Sequence, residues 1–180
     1  MTTEELLAMP ENGIERWLVR GMLREGAMTI RNRARSRAMI RIGKFLDNWL
    51  DTRPEPRGEV VGGEAGVRLR RNPDTTVGVD VAYVGPEVAT RQGENTTLID
   101  GVPVLVVEIR SPSDTDAEVN EKLDTYLEAG VAVIWEVSPH RRTVLVHRPG
   151  REPELFTLSQ ELTGDPELPG FRVPVAQIFA

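Results

Sequence analysis

Two buried-strand runs joined by one helix, between positions 102 and 137, restrict this chain more than any other feature. Val102 to Ile109 reads Val-Pro-Val-Leu-Val-Val-Glu-Ile, an almost unbroken apolar run rich in β-branched residues. Its length suits a strand covered on both faces. Thr115-Asp-Ala-Glu118 has the Thr-x-x-Glu form of a capping box. The helix it opens is predicted to run to about Ala129, with Gly130 as its C-terminal stop. Val131 to Val137 is the second buried run. A strand–helix–strand unit of this kind crosses over right-handedly and yields a locally parallel pair. A parallel pair needs cover on both faces, so the expectation is an α/β (α+β) fold with helices against a mixed sheet.

The remaining segments supply that cover and the rest of the sheet. Thr3 to Met9 is a short amphipathic helix candidate stopped by Pro10. Ile14 to Glu25 holds two short apolar runs around Gly21, the pattern of an N-terminal hairpin. From Thr29 to Leu50 the period becomes helical, with Ile30, Ala34, Ala38, Ile42, Phe45, Leu46, Trp49 and Leu50 recurring along one side. Asp51 to Gly58, with two prolines, breaks that helix. Glu59–Val61, Glu64–Arg70 and Val77–Val84 read as three strands, Gly85 to Asp100 as a long polar loop, and Thr143 to His147 as a strand after a Ser138-Pro-His-Arg turn. Pro149 to Ala180 reads as strand fragments and loops. No composition shift marks a boundary, so residues 1–180 are expected to form one domain with its core at about 29–148.

Composition narrows the chemistry. There is no cysteine, which excludes disulfides and thiolate zinc and suits a reducing cytoplasm. Only His140 and His147 are present, so a histidine-rich metal site is excluded, while a carboxylate site for a hard cation stays open. No apolar run approaches the ~20 residues of a membrane span. The acidic start MTTEELLAMPENG is not expected to act as a signal peptide. The net charge of −6 argues against broad coating of nucleic acid but leaves room for a local basic patch.

Three residues are out of place physically. Glu108 ends an apolar strand, and Asp80 interrupts Val77-Gly-Val-Asp-Val-Ala-Tyr-Val84. Buried ionised carboxylates are costly unless cations or hydrogen-bond donors compensate them. A pair on neighbouring strands repels unless a metal sits between. Such a pair suits Mg²⁺ (or Mn²⁺), with waters and phosphate oxygens completing the shell. Lys122 lies at i+3 from Val119 and i−4 from Tyr126, which turns it towards the apolar face of its helix. There it could orient an attacking water or neutralise a phosphate. Tyr126, one turn on, is either core or a residue whose hydroxyl holds the lysine or a substrate phosphate. The bland alternatives are an outward Asp80, a Lys122 whose stem covers the core while its head stays in water, and Glu108 paired with Arg110 or Arg70.

The stretches Gly101-Val-Pro-Val-Leu-Val-Val-Glu-Ile-Arg-Ser-Pro-Ser-Asp-Thr115, Glu121-Lys-Leu-Asp-Thr-Tyr126 and Ala129-Gly-Val-Ala-Val-Ile-Trp-Glu-Val137 resemble the Uma-two family of bacterial restriction-endonuclease-like proteins. The likeness runs from Thr-Glu-Glu-Leu-Leu near the start to Leu168-Pro-Gly-Phe171. It implies a Mg²⁺- or Mn²⁺-dependent endonuclease acting on DNA, with sites of the Asp…(Asp/Glu)-x-Lys pattern. Residue by residue it implies Asp80 and Glu108 as metal ligands, the Ile109 carbonyl as a further ligand, and Lys122 as the lysine moved onto the following helix. Glu64 is a weaker third acidic candidate. Related nucleases often pair, so a homodimer is admitted too.

Three departures qualify the resemblance. Val79-Asp80 stands where the family has Pro-Asp, and Pro73-Asp74 falls in a turn-like stretch before the strand. Arg110 follows where an apolar residue is common; it either replaces the motif lysine or quenches the site by pairing with Glu108. A histidine early in the long helix is replaced at about Arg35, so any role of that histidine is lost. A catalytically silent nucleic-acid-binding module that keeps the fold is the alternative function.

Arg31, Arg33, Arg35, Arg37, Arg41 and Lys44 follow one another without an acid. Arg33, Arg37, Arg41 and Lys44 share one helical stripe, a candidate surface for phosphates. The alternative is a solvated helix face. His140, His147, Trp17, Trp49 and Trp135 are assigned to the surface and the core respectively.

Overall fold

In a computed structural model, which describes residues 1–27, 32–93 and 95–180, the chain forms a large mixed sheet with helices on both faces. The expected helix start at Thr29 and Ile30, and Arg31 of the basic run, lie outside the described residues. The main path of the sheet runs β2-β1-β4-β6-β7-β8-β9, and β3 joins through β4 with the short β5 beyond it. The N-terminal hairpin is β1 (Ile14–Val19) and β2 (Met22–Ala27), turning at Gly21. Its neighbour β4 spans Thr75–Val84. The central pair is β6 (Leu105–Ile109) and β7 (Val133–Ser138), parallel and joined by α4 (Asp116–Ala129).

Local chemistry sets these bounds. Thr115 caps α4, and Glu118 reaches back to complete the box. Gly130 ends the helix in the left-handed region at φ 98°, where a side chain would be strained. α2 (Arg33–Leu50) starts at Asn32, whose side chain accepts from the Arg35 N–H. β8 (Thr143–His147) lies antiparallel to β7, and β9 (Glu154–Phe156) completes that edge.

Side-chain alternation along β6 separates two cores. Leu105, Val107 and Ile109 join Ala38, Ile42, Leu46 and Trp49 of α2 and the C-terminal Leu162, Leu168, Phe171 and Ile178. Val106 faces the other way, with Val119, Leu123 and Tyr126 of α4. The C-terminal stretch thus serves as cover for α2 and the sheet, built from β10 (Glu161–Thr163), β11 (Arg172–Pro174) and α5 (Val175–Ile178).

Several expectations change in detail. The strands read at 59–61 and 64–70 are one strand, β3 (Glu59–Arg70), bent by a register shift between Gly62 and Ala65. Its bulge sets Glu64 at φ 64°. Gly62-Gly63-Glu64 reads as a boundary in sequence because a bulge uses the same residues as a turn. The polar loop 85–100 contains α3 (Pro86–Ala89) and β5 (Ile99–Asp100). Asp74 of the Pro73-Asp74 pair is an anchor: its Oδ2 accepts from the backbone N–H and hydroxyl of Thr3, at 2.8 and 2.6 Å, and ties α1 (Thr3–Leu7) to the start of β4. Among the described residues no helix is long and apolar enough to cross a membrane.

Leu46 is fully buried between α2 and the sheet. Leu46→Ala is expected to cost about 2–5 kcal/mol in urea denaturation; a cost within error would mean that α2 is not packed as described.

Candidate active site

The paired residues of β4 and β6 run from Tyr83↔Leu105 to Val81↔Val107. One step further brings Asp80 beside Glu108, where the ladder stops. Asp80 is 1% exposed and Glu108 8%. Instead of continuing the ladder, the Ile109 N–H donates to Asp80 Oδ2 at 2.8 Å. Two ionised carboxylates in this setting demand positive charge, and helices from the two faces bring it.

From α4, Lys122 Nζ donates to Glu108 Oε2 at 3.2 Å, and the Tyr126 hydroxyl donates to Glu108 Oε1. Tyr126 is buried beneath the sheet, while the Lys122 side chain stays 40% exposed. From α2, Arg35 Nη2 donates to Asp80 Oδ1 at 2.7 Å and to Glu64 Oε1 at 3.2 Å. The Arg35 side chain is only 9% exposed. The bulge of β3 delivers Glu64, and Gly78 leaves room for it: a Cβ there would meet Glu64 Oε2 at 3.2 Å.

The electrostatics follow from burial and charge. Burial pushes the Glu108 carboxyl above its usual range; Lys122 pulls it back, and Asp80 pushes it further up. Glu108 in turn holds Lys122 in its charged form above the ordinary lysine value. Burial, then Glu108, raises the Tyr126 hydroxyl well above its usual range, so it stays a donor. Burial opposes the Arg35 charge, but Asp80 and Glu64 more than offset it.

Most of this cluster lines a cleft of about 620 Å³. Arg35, Glu64, Glu108, Lys122 and Tyr126 line it; Trp17 of the hairpin and Ser111 and Ser113 after β6 line it too. Asp80 does not reach the lining. Its hydrogen-bond partner Arg35 does.

The model of the family Uma2, described as "Putative restriction endonuclease", matches residues 3–176. The chain belongs to this family. A solved structure with the same fold is that of a putative nuclease belonging to DUF820 from Anabaena variabilis ATCC 29413. It is 18% identical, with a TM-score of 0.82 over 99% of this chain and 97% of that one. No curated protein matches the chain.

In this Uma2 chain the structure thus gathers Asp80, Glu108, Ile109, Lys122, Tyr126 and Glu64 into one cluster. Ile109 meets Asp80 through its N–H. Arg110 goes elsewhere: it donates to Asp116 at 2.7 Å and to Glu136 at 3.2 Å, not to Glu108. β6 ends at Ile109, so the alternation that would hold Arg110 beside Glu108 no longer applies. Glu136 lies next to Glu108 in register and is also bonded to His147 at 3.0 Å, so His147 is half-buried in a network and not a free surface residue. None of Arg33, Arg37, Arg41 and Lys44 lines the cleft; Arg41 donates to the Gln177 carbonyl.

Arg35 is what the sequence reading missed. Counting it within a basic run hid its phase: 35, 38, 42, 46 and 49 recur at the spacing of the buried stripe, and all five are buried. Trp17, assigned to the core, is only partly buried and lines the cleft.

Tyr126→Phe leaves Glu108 Oε1 without its donor and is expected to cost about 1–3 kcal/mol at neutral pH. The hydroxyl favours the ionised carboxylate, so its loss raises a carboxyl already above 4.5. A raised folded-state value means stability is lost as pH climbs through it. The deficit against wild type is therefore expected to grow as the pH rises from 4.5. A deficit that shrinks over that range in urea titrations would contradict the assignment.

Proposed function

We propose that this chain hydrolyses phosphodiester bonds in nucleic acid, DNA being the expected substrate, with a divalent cation, Mg²⁺ or Mn²⁺, as cofactor. The observation that carries the reading is the buried Asp80–Glu108 pair with Lys122 on Glu108 at the cleft, in a chain of a restriction-endonuclease family.

The donor chemistry fits a hard cation. Among the described residues no three acidic or histidine side chains converge as a ready-made metal site, but Asp80 and Glu108 form a buried pair of carboxylates, and burial holds Glu108 above its normal range. Carboxylate oxygens of this kind suit Mg²⁺ or Mn²⁺. Asp80 and Glu108 would hold the ion, with the Ile109 carbonyl as a further ligand. Bound there, it would polarise a phosphate oxygen and make a bound water more acidic.

The chain's own residues have separate tasks. Lys122, partly exposed and charged, orients a water or a phosphate oxygen at the cleft. Tyr126 fixes the Glu108 carboxylate from below. Glu64 shares Arg35 with Asp80.

A second reading has a specific observation behind it. Arg35 already neutralises Asp80, which suits a catalytically silent module that binds nucleic acid in the same cleft. Cleavage of plasmid DNA with Mn²⁺ or Mg²⁺ separates the two. Wild type is expected to cut and to stop on chelation, Glu108→Ala to lose all cutting, and Lys122→Met to fall by about 10²–10⁴-fold. Cutting retained by Glu108→Ala would sink the hydrolase assignment. Intact DNA, bound in a salt-dependent manner that ignores Mg²⁺, would establish the silent module.

A further inference from the structure

We infer that Arg35 is a built-in counter-ion that competes with a divalent cation for Asp80, so that the guanidinium governs metal entry to this site. The inference rests on the reading of Asp80 and Glu108 as a metal pair.

Arg35 lies in the first turn of α2, which holds no acid. A positive side chain there opposes the helix dipole, so local helix chemistry does not explain it. What holds it is the buried ion pair with Asp80, together with a half-buried one to Glu64. Asp80 has two oxygens: Oδ1 takes Arg35 Nη2, and Oδ2 takes the Ile109 N–H. Arg35 lines the cleft and Asp80 does not. A cation that binds Oδ1 must therefore displace the guanidinium that already occupies it. The two positive groups cannot share the place, because like charges at contact distance repel strongly in a buried site.

The guanidinium is also incompletely satisfied. Its Nε is buried and has no hydrogen-bond partner. An unpaired buried donor is a standing cost, so this arrangement is one from which Arg35 can be drawn. An incoming phosphate offers the paired acceptors that a guanidinium prefers. Arg35 would then pass from carboxylate to substrate as the metal takes Asp80.

The test is titration of Mn²⁺ alone into wild type, Arg35→Gln and Arg35→Ala, followed by calorimetry and by the loss of free Mn²⁺ signal in electron paramagnetic resonance. Arg35→Gln keeps much of the volume and a donor for Asp80, so it remains informative where Arg35→Ala does not fold. Both neutral variants are expected to bind Mn²⁺ about tenfold or more tightly than wild type. Adding Asp80→Asn to Arg35→Gln is expected to abolish the gain. Equal binding by wild type and the neutral variants overturns the competition and leaves the metal pair standing. No binding by any of them overturns it as well. Tight binding by the variants, with a wild type that neither binds Mn²⁺ nor cuts DNA, upholds the competition while the hydrolase reading fails.

Discussion

Two carboxylates side by side at the end of a sheet ladder are the constraint on which this molecule turns. Asp80 and Glu108 sit where β4 and β6 stop pairing, and both are buried. Left alone they would repel and lose their hydration, so one would protonate or the ladder would give way. The fold answers from both faces of the sheet. α2 brings Arg35 to Asp80, and α4 brings Lys122 and Tyr126 to Glu108. The helices that cover the hydrophobic sheet are thus the same ones that neutralise its acidic end.

Membership of the Uma2 family and the likeness to the Anabaena structure concern descent and fold. A fold does not decide whether a site turns over. On the reading proposed above, that decision lies in which cation Asp80 accepts. Arg110, the residue best placed by sequence to silence the site, is engaged with Asp116 and Glu136 and leaves Glu108 to Lys122.

Much of the fold is legible in the sequence because it rests on short-range rules. The capping box at Thr115, the stop at Gly130 and the unbroken apolar runs of β6 and β7 each have one local explanation. The placement of Lys122 and Tyr126 follows from helical spacing, and the proximity of Asp80 to Glu108 from the family resemblance. What stays hidden depends on register and phase. The β3 bulge at Gly62-Gly63-Glu64 mimics a turn, so Glu64 reads as a strand opening and only as a weaker third acidic candidate. Arg35 is concealed among neighbours of like charge, although its position on the buried stripe of α2 was there to be counted.

The most direct test of this account is a double-mutant cycle on the Arg35–Asp80 pair, with stability measured by urea denaturation of Arg35→Met, Asp80→Asn and the double variant. If the buried pair is mutually compensating, removing Arg35 alone is expected to cost about 3–5 kcal/mol, because Asp80 is left charged and unpaired. The double variant should then be well above the sum of the two singles, by about 1–3 kcal/mol. Additive losses would mean that Arg35 does not hold Asp80, and the acidic end of the sheet would have to be neutralised in some other way.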